Sequence, residues 1–368
     1  MPFQLPHYSP PDFSRLGLLD APVARTAPAP ANGVAPDNFH GTSNHPEYFH
    51  IAPGHWVLVQ ESRMDSVVTV AGEQLEVVEP RRLRQGDRVV IGRTENGEEG
   101  VYVHTEGFTD TSGGHQEKFA FRTRGTRETP FSRSYDHLYE LLRYEREHGY
   151  IVWVLGPAVA FDKDSRDAMS ALIEAGYCHA LLAGNALATH DLEAGSFGTG
   201  LGQDIYTQAL QPLGHYHHLD VLNVVRRAGS IQAAFGELGV RDGIILACEQ
   251  HRIPFVLCGS IRDDGPLPEV VGDVYAGQDA MRTHARRATT VIALATQLHA
   301  IAVGNMLPGY QIAPDTHVRP VYLYVVDMSE FSVDKLANRG SAQATGILTN
   351  AQDFMIHLRN NLLGRSGP

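Results

Sequence analysis

The second half of the sequence alternates short, wholly apolar runs with segments of helical periodicity. Ile151–Leu155 is an uninterrupted apolar run, and Val321–Val326 is another one further along the chain. Runs of this kind are typical of strands that are buried on both faces. Strands that alternate with helices require parallel pairing and right-handed crossovers. The pattern therefore predicts an α/β fold with a doubly wound, Rossmann-like parallel sheet.

The elements of this region are predicted from those runs and from the breakers between them. Strands are predicted at Ile151–Leu155, Cys178–Ala183, Ile253–Cys258, Thr290–Ala295 and Val321–Val326. Helices are predicted at Arg166–Ala175, Asp220–Arg227, Ser230–Phe235, Gly243–Gln250, Val274–Arg287, Gln297–Gly304 and Ala351–Leu363. An amphipathic helix at Tyr135–His148 precedes them and is predicted to connect this region to the first part of the chain.

The first third of the chain has a different texture. From Phe39 to about Arg124, short β-rich runs recur about every ten residues between Gly, Asn, Asp and Pro, which predicts a small antiparallel barrel or sandwich. The residues before it are rich in Pro and Ala with little periodicity, which is typical of an extended or partly disordered arm. We therefore predict an N-terminal arm at 1–35, a small β-rich domain at 36–130 and the α/β domain at 131–368.

Composition excludes several classes of partner. The formal net charge of −12 argues against nucleic acid or an anionic membrane surface. No apolar run reaches the roughly 18 residues of a membrane helix, and the N-terminus lacks the charged region of a secretory signal. The three Cys residues lie in apolar contexts without a CxxC motif, which predicts small core residues in a reducing cytoplasm.

Histidine is frequent, at 19 residues, but its spacing does not match a metal-binding motif. The nearest approach is GHYHHLD, which contains His215, His217 and His218. We interpret this run as the polar start of a helix, and we predict no metal.

Small or polar residues follow the predicted strands, where open α/β sheets bind their ligands. They are Gly156-Pro157-Ala158, Gly184-Asn185-Ala186 and Gly259-Ser260. Small residues let a ligand approach the backbone, and free N–H groups at a helix start can bind phosphate. The usual GxGxxG motif is absent, because GSFGTGLG at Gly195–Gly202 has a different spacing. The residues alone leave open a nucleotide in the crevice or a flexible glycine loop.

The densest polar cluster follows the predicted strand at Ile253–Cys258. Ser260, Arg262, Asp263 and Asp264 lie within five residues, directly after Gly259. Two carboxylates and a guanidinium at one strand end indicate a binding site, and the alternative is a surface turn held by an ion pair.

Three further residues are candidates near later strand ends. His299 lies one turn into a predicted helix, where it is either a base or a histidine satisfied beneath that helix. Asn305 follows a predicted helix end, where Asn is also an ordinary turn residue. Lys335, with Asp334 and Arg339, belongs either to a solvated helix face or to a helix start aimed at the crevice.

Several long segments resemble one known family. They are GVAPDNFHGTSNHP (33–46), MDSVV (64–68), LLAGNALATHDLE (181–193), GHYHHLDVLNVVRRAGSI (214–231), PFVLCGSIRDDGPLPEVVGDVYAGQDAMR (254–282), IALATQLHAIAVGNMLP (292–308) and VDKLANRGSAQATGILT (333–349). They are similar to the region named after lysine-oxoglutarate reductase/saccharopine dehydrogenase (LOR/SDH). That region forms the archaeal-type ornithine cyclodeaminase and the C-terminal part of arginine dihydrolase/ornithine cyclodeaminase fusions. The resemblance covers about residues 30–350.

The resemblance implies a fold related to deoxyhypusine synthase, a tightly held NAD, and conversion of L-ornithine to L-proline and ammonia. In that reaction an internal hydride transfer oxidises the amino acid to an imine, the imine cyclises with loss of ammonia, and the ring is reduced again. The partner implied is a small amino acid, and the lyase would act in proline biosynthesis. Because crevice domains of this kind commonly bury apolar faces between subunits, we expect a homodimer or homotetramer, and the cysteines place it in the cytoplasm.

The same resemblance suggests roles for candidate residues. Arg262 would clamp the substrate carboxylate, because its planar fork matches that group. Asp264 or Lys335 would act as the base if burial brings its pKa toward neutrality. His299 or the same carboxylate would protonate the leaving ammonia.

Cofactor contacts are expected from the strand ends and from the glycine turn. They are Gly156, Pro157, Ala158, Gly184, Asn185, Ala186, Gly198, Thr199, Gly200, Gly259, Ser260, Asp263 and Asn305. Asn44 and Asp65 would reach the substrate from the β-rich domain, and the alternative is that both lie in hairpin loops.

Three alternatives to this function remain open on the sequence. One is a cyclodeaminase for a different diamino acid. Another is an NAD(P)-dependent dehydrogenase of an amino acid or a saccharopine-like adduct, which would accumulate reduced cofactor. A third is a non-catalytic, NAD-binding regulatory domain.

Overall fold

The structure is a computed structural model that describes residues 3–109, 130–263, 265–313, 317–330, 332–333 and 343–364. Its first part is made of short strands. They are β1 (His7–Tyr8), β2 (Arg25–Pro28), β3 (Glu47–Ala52), β4 (His55–Leu58), β5 (Val67–Ala71), β6 (Gln74–Val78), β7 (Arg88–Ile91), β8 (Val101–Val103) and β9 (Phe108–Thr109).

Two antiparallel sheets in this part pack face to face. One has the order β2-β7-β5-β6 and the other the order β4-β3-β8. Alternate residues of both sheets turn inward to share one small core, as a strand period of two requires. That core contains Phe49, Val59, Val68, Val77, Val90 and Val101. The predicted β-rich part is confirmed as a small sandwich.

The segment before residue 35 lies along both parts of the chain. β2 joins the first sheet of the sandwich, and Phe13 stacks on Trp56 with ring centroids 4.5 Å apart. Phe3 contacts the ring of Tyr322 in the α/β part, with centroids 6.1 Å apart. The domain boundaries at 35 and 130 stay predictions.

The second part alternates strands and helices. Its elements are α1 (Pro130–His148), β10 (Ile151–Leu155), α2 (Lys163–Glu174), β11 (Ala180–Gly184), α3 (Asn185–Phe197), β12 (Thr199–Gly200), β13 (Gln203–Asp204), α4 (His217–Ala228), α5 (Ile231–Leu238), α6 (Ile244–Gln250), β14 (Phe255–Cys258), α7 (Val274–Ala285), β15 (Thr290–Leu294), α8 (Leu298–Met306), β16 (Tyr310–Ile312), β17 (Val318–Pro320), β18 (Tyr322–Asp327), β19 (Gln343–Leu348) and α9 (Ala351–Leu363).

Six of these strands form one parallel sheet with the order β14-β11-β10-β15-β18-β19. Numbered along the chain, this is the 3-2-1-4-5-6 order of Rossmann folds. Side chains of β10 alternate between two cores. Trp153 and Leu155 pack in the layer of α2 and α3, and Val152 and Val154 pack in the layer of α7 and α8. Helices cover both faces, which explains the continuous apolar runs and confirms the predicted fold class.

The central strands separate at their carboxyl ends. β10 continues into α2 on one face of the sheet, while β15 continues into α8 on the other face. Divergence of this kind opens a crevice at the switch point of the sheet. A Cβ atom on Gly156 would overlap the carbonyl oxygen of Ala295, so the two strand ends can meet there only through a glycine. Ala295 itself has a left-handed backbone, with φ +52°.

Helix α3 was not predicted. The predicted strand was expected to end at Gly184-Asn185, but the helix begins at Asn185 without an intervening loop. Ten of its thirteen residues are buried, so it has no polar face and no apolar periodicity to reveal it. A flexible glycine loop was one of the two alternatives left open for Gly195–Gly202, and the structure differs from it, because this run begins with the last turn of α3 and continues into β12 (Thr199–Gly200).

Other differences are smaller. Most predicted elements shift by one to four residues at their ends, and the hairpin of β16 and β17 was not predicted. Cys178 and Cys248 are buried as expected, whereas Cys258 is half-buried at the crevice. In the ranges that the structure describes, no helix has both the length and the apolar character needed to cross a bilayer.

The β sandwich packs at the amino edge of the parallel sheet. Gly309, just before β16, donates its backbone N–H to the carbonyl of Ser62 at 2.9 Å. Glu61 and Arg286 form an ion pair at 3.1 Å beside the start of β15. The carboxyl edge, with its crevice, therefore lies on the opposite side from these contacts.

Candidate active site

The crevice at the switch point has an inner lobe of about 600 Å³. The ends of β10, β11, β14 and β15 and the residues that follow them line this lobe. It brings together nine of the residues predicted from the sequence. They are Gly156, Pro157, Gly184, Asn185, Ala186, Ser260, Arg262, Asp263 and His299.

Two helices begin at this lobe without a side-chain cap. The N-cap of α3 is Gly184, which has no side-chain acceptor, and the N-cap of α8 is Gln297, whose side chain makes no capping hydrogen bond. Free N–H groups and the positive end of each helix dipole therefore face the lobe, which favours an anionic group such as phosphate. Asn185 Oδ1 accepts a hydrogen bond from Leu267 N at 3.1 Å and so ties the loop after β14 to the start of α3.

The loop after β14 is shaped by its own polar side chains. Asp263 Oδ2 accepts from Ser260 N at 2.7 Å, and Ser260 Oγ accepts from Arg262 N at 3.2 Å. The structure records no ion pair between Arg262 and any residue in the described ranges. The exposed guanidinium is therefore available to a ligand rather than committed to a neighbour within those ranges.

His299 lies over the end of β11. A Cβ atom on Gly184 would approach the ring at 3.0 Å, so this glycine makes room for the imidazole. Burial lowers the pKa of His299, and the charge of Asp263 opposes that effect. The neutral ring can accept a proton or donate an N–H at neutral pH.

An outer lobe of about 510 Å³ shares Asn185, Arg262 and Asp263 with the inner one. Sequence reasoning did not assign most of its lining. The residues that it adds are Phe161, Thr189, His190, Leu201, His218, Leu219 and Leu222. His190 could have been found only if α3 had been recognised, because its partner Glu193 lies one helical turn further on.

Glu193 is fully buried beside the outer lobe. Its carboxylate accepts hydrogen bonds from His190 Nδ1 at 2.9 Å, Thr199 Oγ1 at 2.9 Å and Gly202 N at 2.9 Å. Burial acts to raise the pKa of Glu193, but these hydrogen bonds prevail and lower it. The group is therefore a carboxylate at neutral pH, and it holds the His190 ring in one orientation.

Several residues predicted to bind the cofactor do not line either lobe. Ala158 lies within the 3-10 turn Pro157–Val159. Gly259 is held by its backbone N–H to Val271 O at 2.9 Å. Asn305 is exposed near the far end of α8, about 10 Å along the helix from the residues at its start.

The predicted residues in the turn after α3 do not line the outer lobe, but the turn supports it from behind. Gly198 caps α3 with φ +69°, and Thr199 and Gly200 form β12. Only Leu201 of this turn reaches the lobe. Thr199 acts through its hydrogen bond to Glu193.

Asn44 and Asp65 lie at the opposite edge of the sheet. The backbone of Asn44 packs against Gly309, and Asp65 N donates to Thr42 O at 3.2 Å. The sandwich docks at the amino edge, so the structure does not bring these two residues to the crevice of their own chain. Asp264 and Lys335 lie outside the described residues, and their roles stay predictions.

The strand order and the crevice define the class of the protein. Six parallel strands in the 3-2-1-4-5-6 order, with a cleft at the switch point, are the mark of a Rossmann-type α/β protein. Residues 138–358 match the family described as arginine dihydrolase ArgZ-like, C-terminal, Rossmann fold. The chain belongs to this family, which confirms the resemblance seen in the sequence.

Known relatives extend the similarity over most of the chain. The ornithine cyclodeaminase of Methanopyrus kandleri is 38% identical over 341 residues, which cover 92% of this chain and 78% of that protein. The crystal structure of a LOR/SDH protein from Methanococcus maripaludis superposes with a TM-score of 0.81 at 33% identity, covering 93% of this chain and 98% of the other. The ternary complex of AgrE with ornithine and NAD⁺ gives a TM-score of 0.56 at 31% identity, covering 93% of this chain and 46% of that one.

Proposed function

We propose that the protein is an NAD-dependent ornithine cyclodeaminase that converts L-ornithine to L-proline and ammonia. The observation that carries the proposal is the crevice, which gathers an available guanidinium, a neutral histidine and two uncapped helix starts at the switch point. Relatives named ornithine cyclodeaminase, and the AgrE complex with ornithine and NAD⁺, support the choice of substrate and cofactor.

The residues of the inner lobe fit a dinucleotide. Gly184 leaves space beside the His299 ring, and the free N–H groups of α3 and α8 suit a pyrophosphate. Gly156, Gly184, Asn185 and Ser260 would hold the cofactor. When bound, NAD supplies a hydride acceptor that returns the hydride within the same catalytic cycle.

Arg262 and His299 would act on the amino acid. The exposed guanidinium of Arg262 would pair with the substrate carboxylate and fix its orientation. His299, kept neutral by burial, would accept a proton without first having to lose one, and the imidazolium so formed would protonate the leaving ammonia. The apolar ends of β10 and β15 beneath them would exclude water from the reacting carbon.

The function is tested on the purified protein. We expect denaturation to release NAD, identified by its absorbance and mass, and incubation with ornithine to yield equal amounts of proline and ammonia without accumulating NADH. Accumulation of NADH in step with turnover would instead indicate a net dehydrogenase. Bound NAD with no turnover of ornithine or any other diamino acid would indicate a regulatory domain.

Arg262→Lys tests the carboxylate clamp. We expect the KM for ornithine to rise about tenfold or more with a smaller change in kcat, because an ammonium cannot pair with both carboxylate oxygens. Arg227→Lys is the matched control, since Arg227 forms an exposed pair with Glu237 away from the crevice. An unchanged KM in Arg262→Lys would assign the carboxylate to another group.

A further inference from the structure

The outer lobe contains a histidine whose ring is fixed by a buried carboxylate. His190 Nδ1 lies 2.9 Å from Glu193 Oε2, and the ring of Phe161 packs against the imidazole with centroids 4.9 Å apart. A charged carboxylate at that distance keeps the proton of a neutral imidazole on Nδ1. The other nitrogen, Nε2, then carries a lone pair.

The second ring nitrogen of His190, Nε2, has no recorded hydrogen-bond partner in the described residues. The side chain is 11% exposed and lines the outer lobe, and the structure records no hydrogen bond from Nε2 to any residue in the described ranges. Both oxygens of the buried Glu193 carboxylate accept hydrogen bonds without His190, because Thr199, Leu201 and Gly202 donate to them. The pair therefore has the geometry of a base and its orienting group.

We propose that His190 is the proton acceptor for an ammonium group of the diamino acid, with Glu193 as its positioning residue. The inference rests on the proposed function. The two lobes share Arg262 and Asp263, so a substrate held by its carboxylate at Arg262 has the outer lobe beside it. A diamino acid has a second ammonium group to place there, which a monoamino acid lacks.

The proton balance closes over both ammonium groups, because each loses one proton before its nitrogen reacts, and the proline nitrogen and the departing ammonia each take one back. His190 is assigned one of these two protons. Ornithine enters with two ammonium groups and a carboxylate, and the products are zwitterionic proline and an ammonium ion. One N–H bond of an ammonium breaks, its electron pair stays on nitrogen, and the proton forms a new bond to His190 Nε2. The departing ammonia later takes that proton and leaves as ammonium, so the imidazole returns to its starting state.

Several charged or titratable groups surround His190 and act on the proton transfer. Glu193 on the same helix places one carboxylate beside the ring, and Asp263 of the loop after β14 adds a second one to the lobe. Arg262 from that loop adds a positive charge. His218 of α4 faces His190 with centroids 6.0 Å apart, and its Nδ1 is buried without a partner in the described residues.

His190→Asn separates the chemical role from the structural one. The asparagine amide can keep donating to Glu193, so the turn after α3 should stay in place, but no proton acceptor remains. We expect kcat with ornithine to fall about 10²–10⁴-fold, while bound NAD and the melting temperature stay unchanged. The residual rate should keep rising with pH above the pH at which the wild-type rate levels off, because only substrate that is already deprotonated in solution can react.

Two further variants complete the experiment. His215→Asn is the matched control, because His215 is an exposed histidine in the run that contains His218, and the change should leave kcat as it is. Glu193→Gln should move the acidic limb of the kcat profile to lower pH, because the imidazolium loses its carboxylate. A limb that does not move would make Glu193 a structural cap only.

The outcomes distinguish this inference from the proposed function. If the wild-type protein does not turn over ornithine, the proposed function itself is wrong. If the wild type turns over ornithine while the His190→Asn variant keeps its kcat within threefold and the same pH profile, only the role assigned to His190 is wrong.

Discussion

Two opposing influences act on the charge of His299. Burial lowers the pKa of this imidazole, and the carboxylate of Asp263 is the neighbour that raises it. Asp263 also shapes the turn that presents Arg262, through its hydrogen bond from Ser260 N. One side chain thus adjusts both the position of the proposed clamp and the proton affinity of the neighbouring ring.

Asp263→Asn should lower the pKa of His299 further. The amide can still accept the hydrogen bond from Ser260 N, but it lacks the negative charge with which Asp263 raises the pKa of His299. A titration of the His299 ring by NMR measures the change directly. Asp167→Asn, which removes a carboxylate paired with Lys163 on α2, serves as the control and should leave the titration in place.

Burial also couples three histidines to the stability of the fold. It lowers the pKa of His179, His284 and His299 below the ordinary value of 6.5. Between the folded pKa values and 6.5 the unfolded chain binds more protons, so the free energy of unfolding falls as the pH falls through that window. Urea unfolding at about pH 7.5 and about pH 5.5 should show this loss. His299→Gln should show a smaller loss, and an equal one would contradict the assignment.

At the level of elements, the crevice depends on the meeting of β10 and β15. Gly156 N donates to Leu294 O at 2.9 Å, and Ala295 keeps the left-handed backbone beside it. Such a conformation costs an alanine of the order of 1–2 kcal/mol, and the surrounding hydrogen bonds maintain it. Strain of this kind is found where strand ends must turn apart around a ligand.

Gly156→Ala should destabilise the protein by about 1–3 kcal/mol and abolish cofactor retention, because the new methyl group overlaps the Ala295 carbonyl. Gly236→Ala is the control, since a Cβ atom there meets no atom within 4 Å. It lies inside α5 and should be neutral or slightly stabilising. Denaturant unfolding and the amount of nucleotide released on denaturation measure both effects.

Elements were predictable where the polypeptide carries a periodic signal. The strand at Ile151–Leu155 and the helix at Ala351–Leu363 were located within their true bounds, because one is apolar throughout and the other has an apolar stripe. Helix α3 has neither pattern, since tertiary packing buries it on nearly every side. The inner lobe was thus predictable from strand ends, whereas the outer lobe was not.

At the level of the whole molecule, a cluster of ions joins the sandwich to the α/β part. Glu79 pairs with Arg63 at 2.7 Å and with Arg282 of α7 at 2.9 Å, and both guanidiniums are almost fully buried. Burial acts to raise the pKa of Glu79, but the two arginines prevail and lower it. Glu79 and Arg282 are about 200 residues apart in the chain, and for that reason no local pattern predicts how the two parts dock.

Glu79→Gln should lower the free energy of unfolding by about 3 kcal/mol, because the buried guanidinium of Arg63 loses its counter-charge and that of Arg282 keeps only the half-exposed Asp279. Calorimetry should then resolve the sandwich and the α/β part as separate transitions. Glu73→Gln changes an exposed carboxylate at the tip of the β5–β6 hairpin and should leave a melting curve like that of the wild type. A single, unshifted transition in Glu79→Gln would contradict this role of the cluster.

The direct junction of β11 with α3 determines which parts of the crevice can change. With no loop between them, the strand sets the rotation of the helix about its axis, and Asn185, Thr189 and His190 inherit the stiffness of the sheet. Under the proposed function, divergence toward diamino acids of other lengths would therefore proceed through Ser260–Asp263 and Leu201, which border the two lobes outside the strands and helices of the sheet.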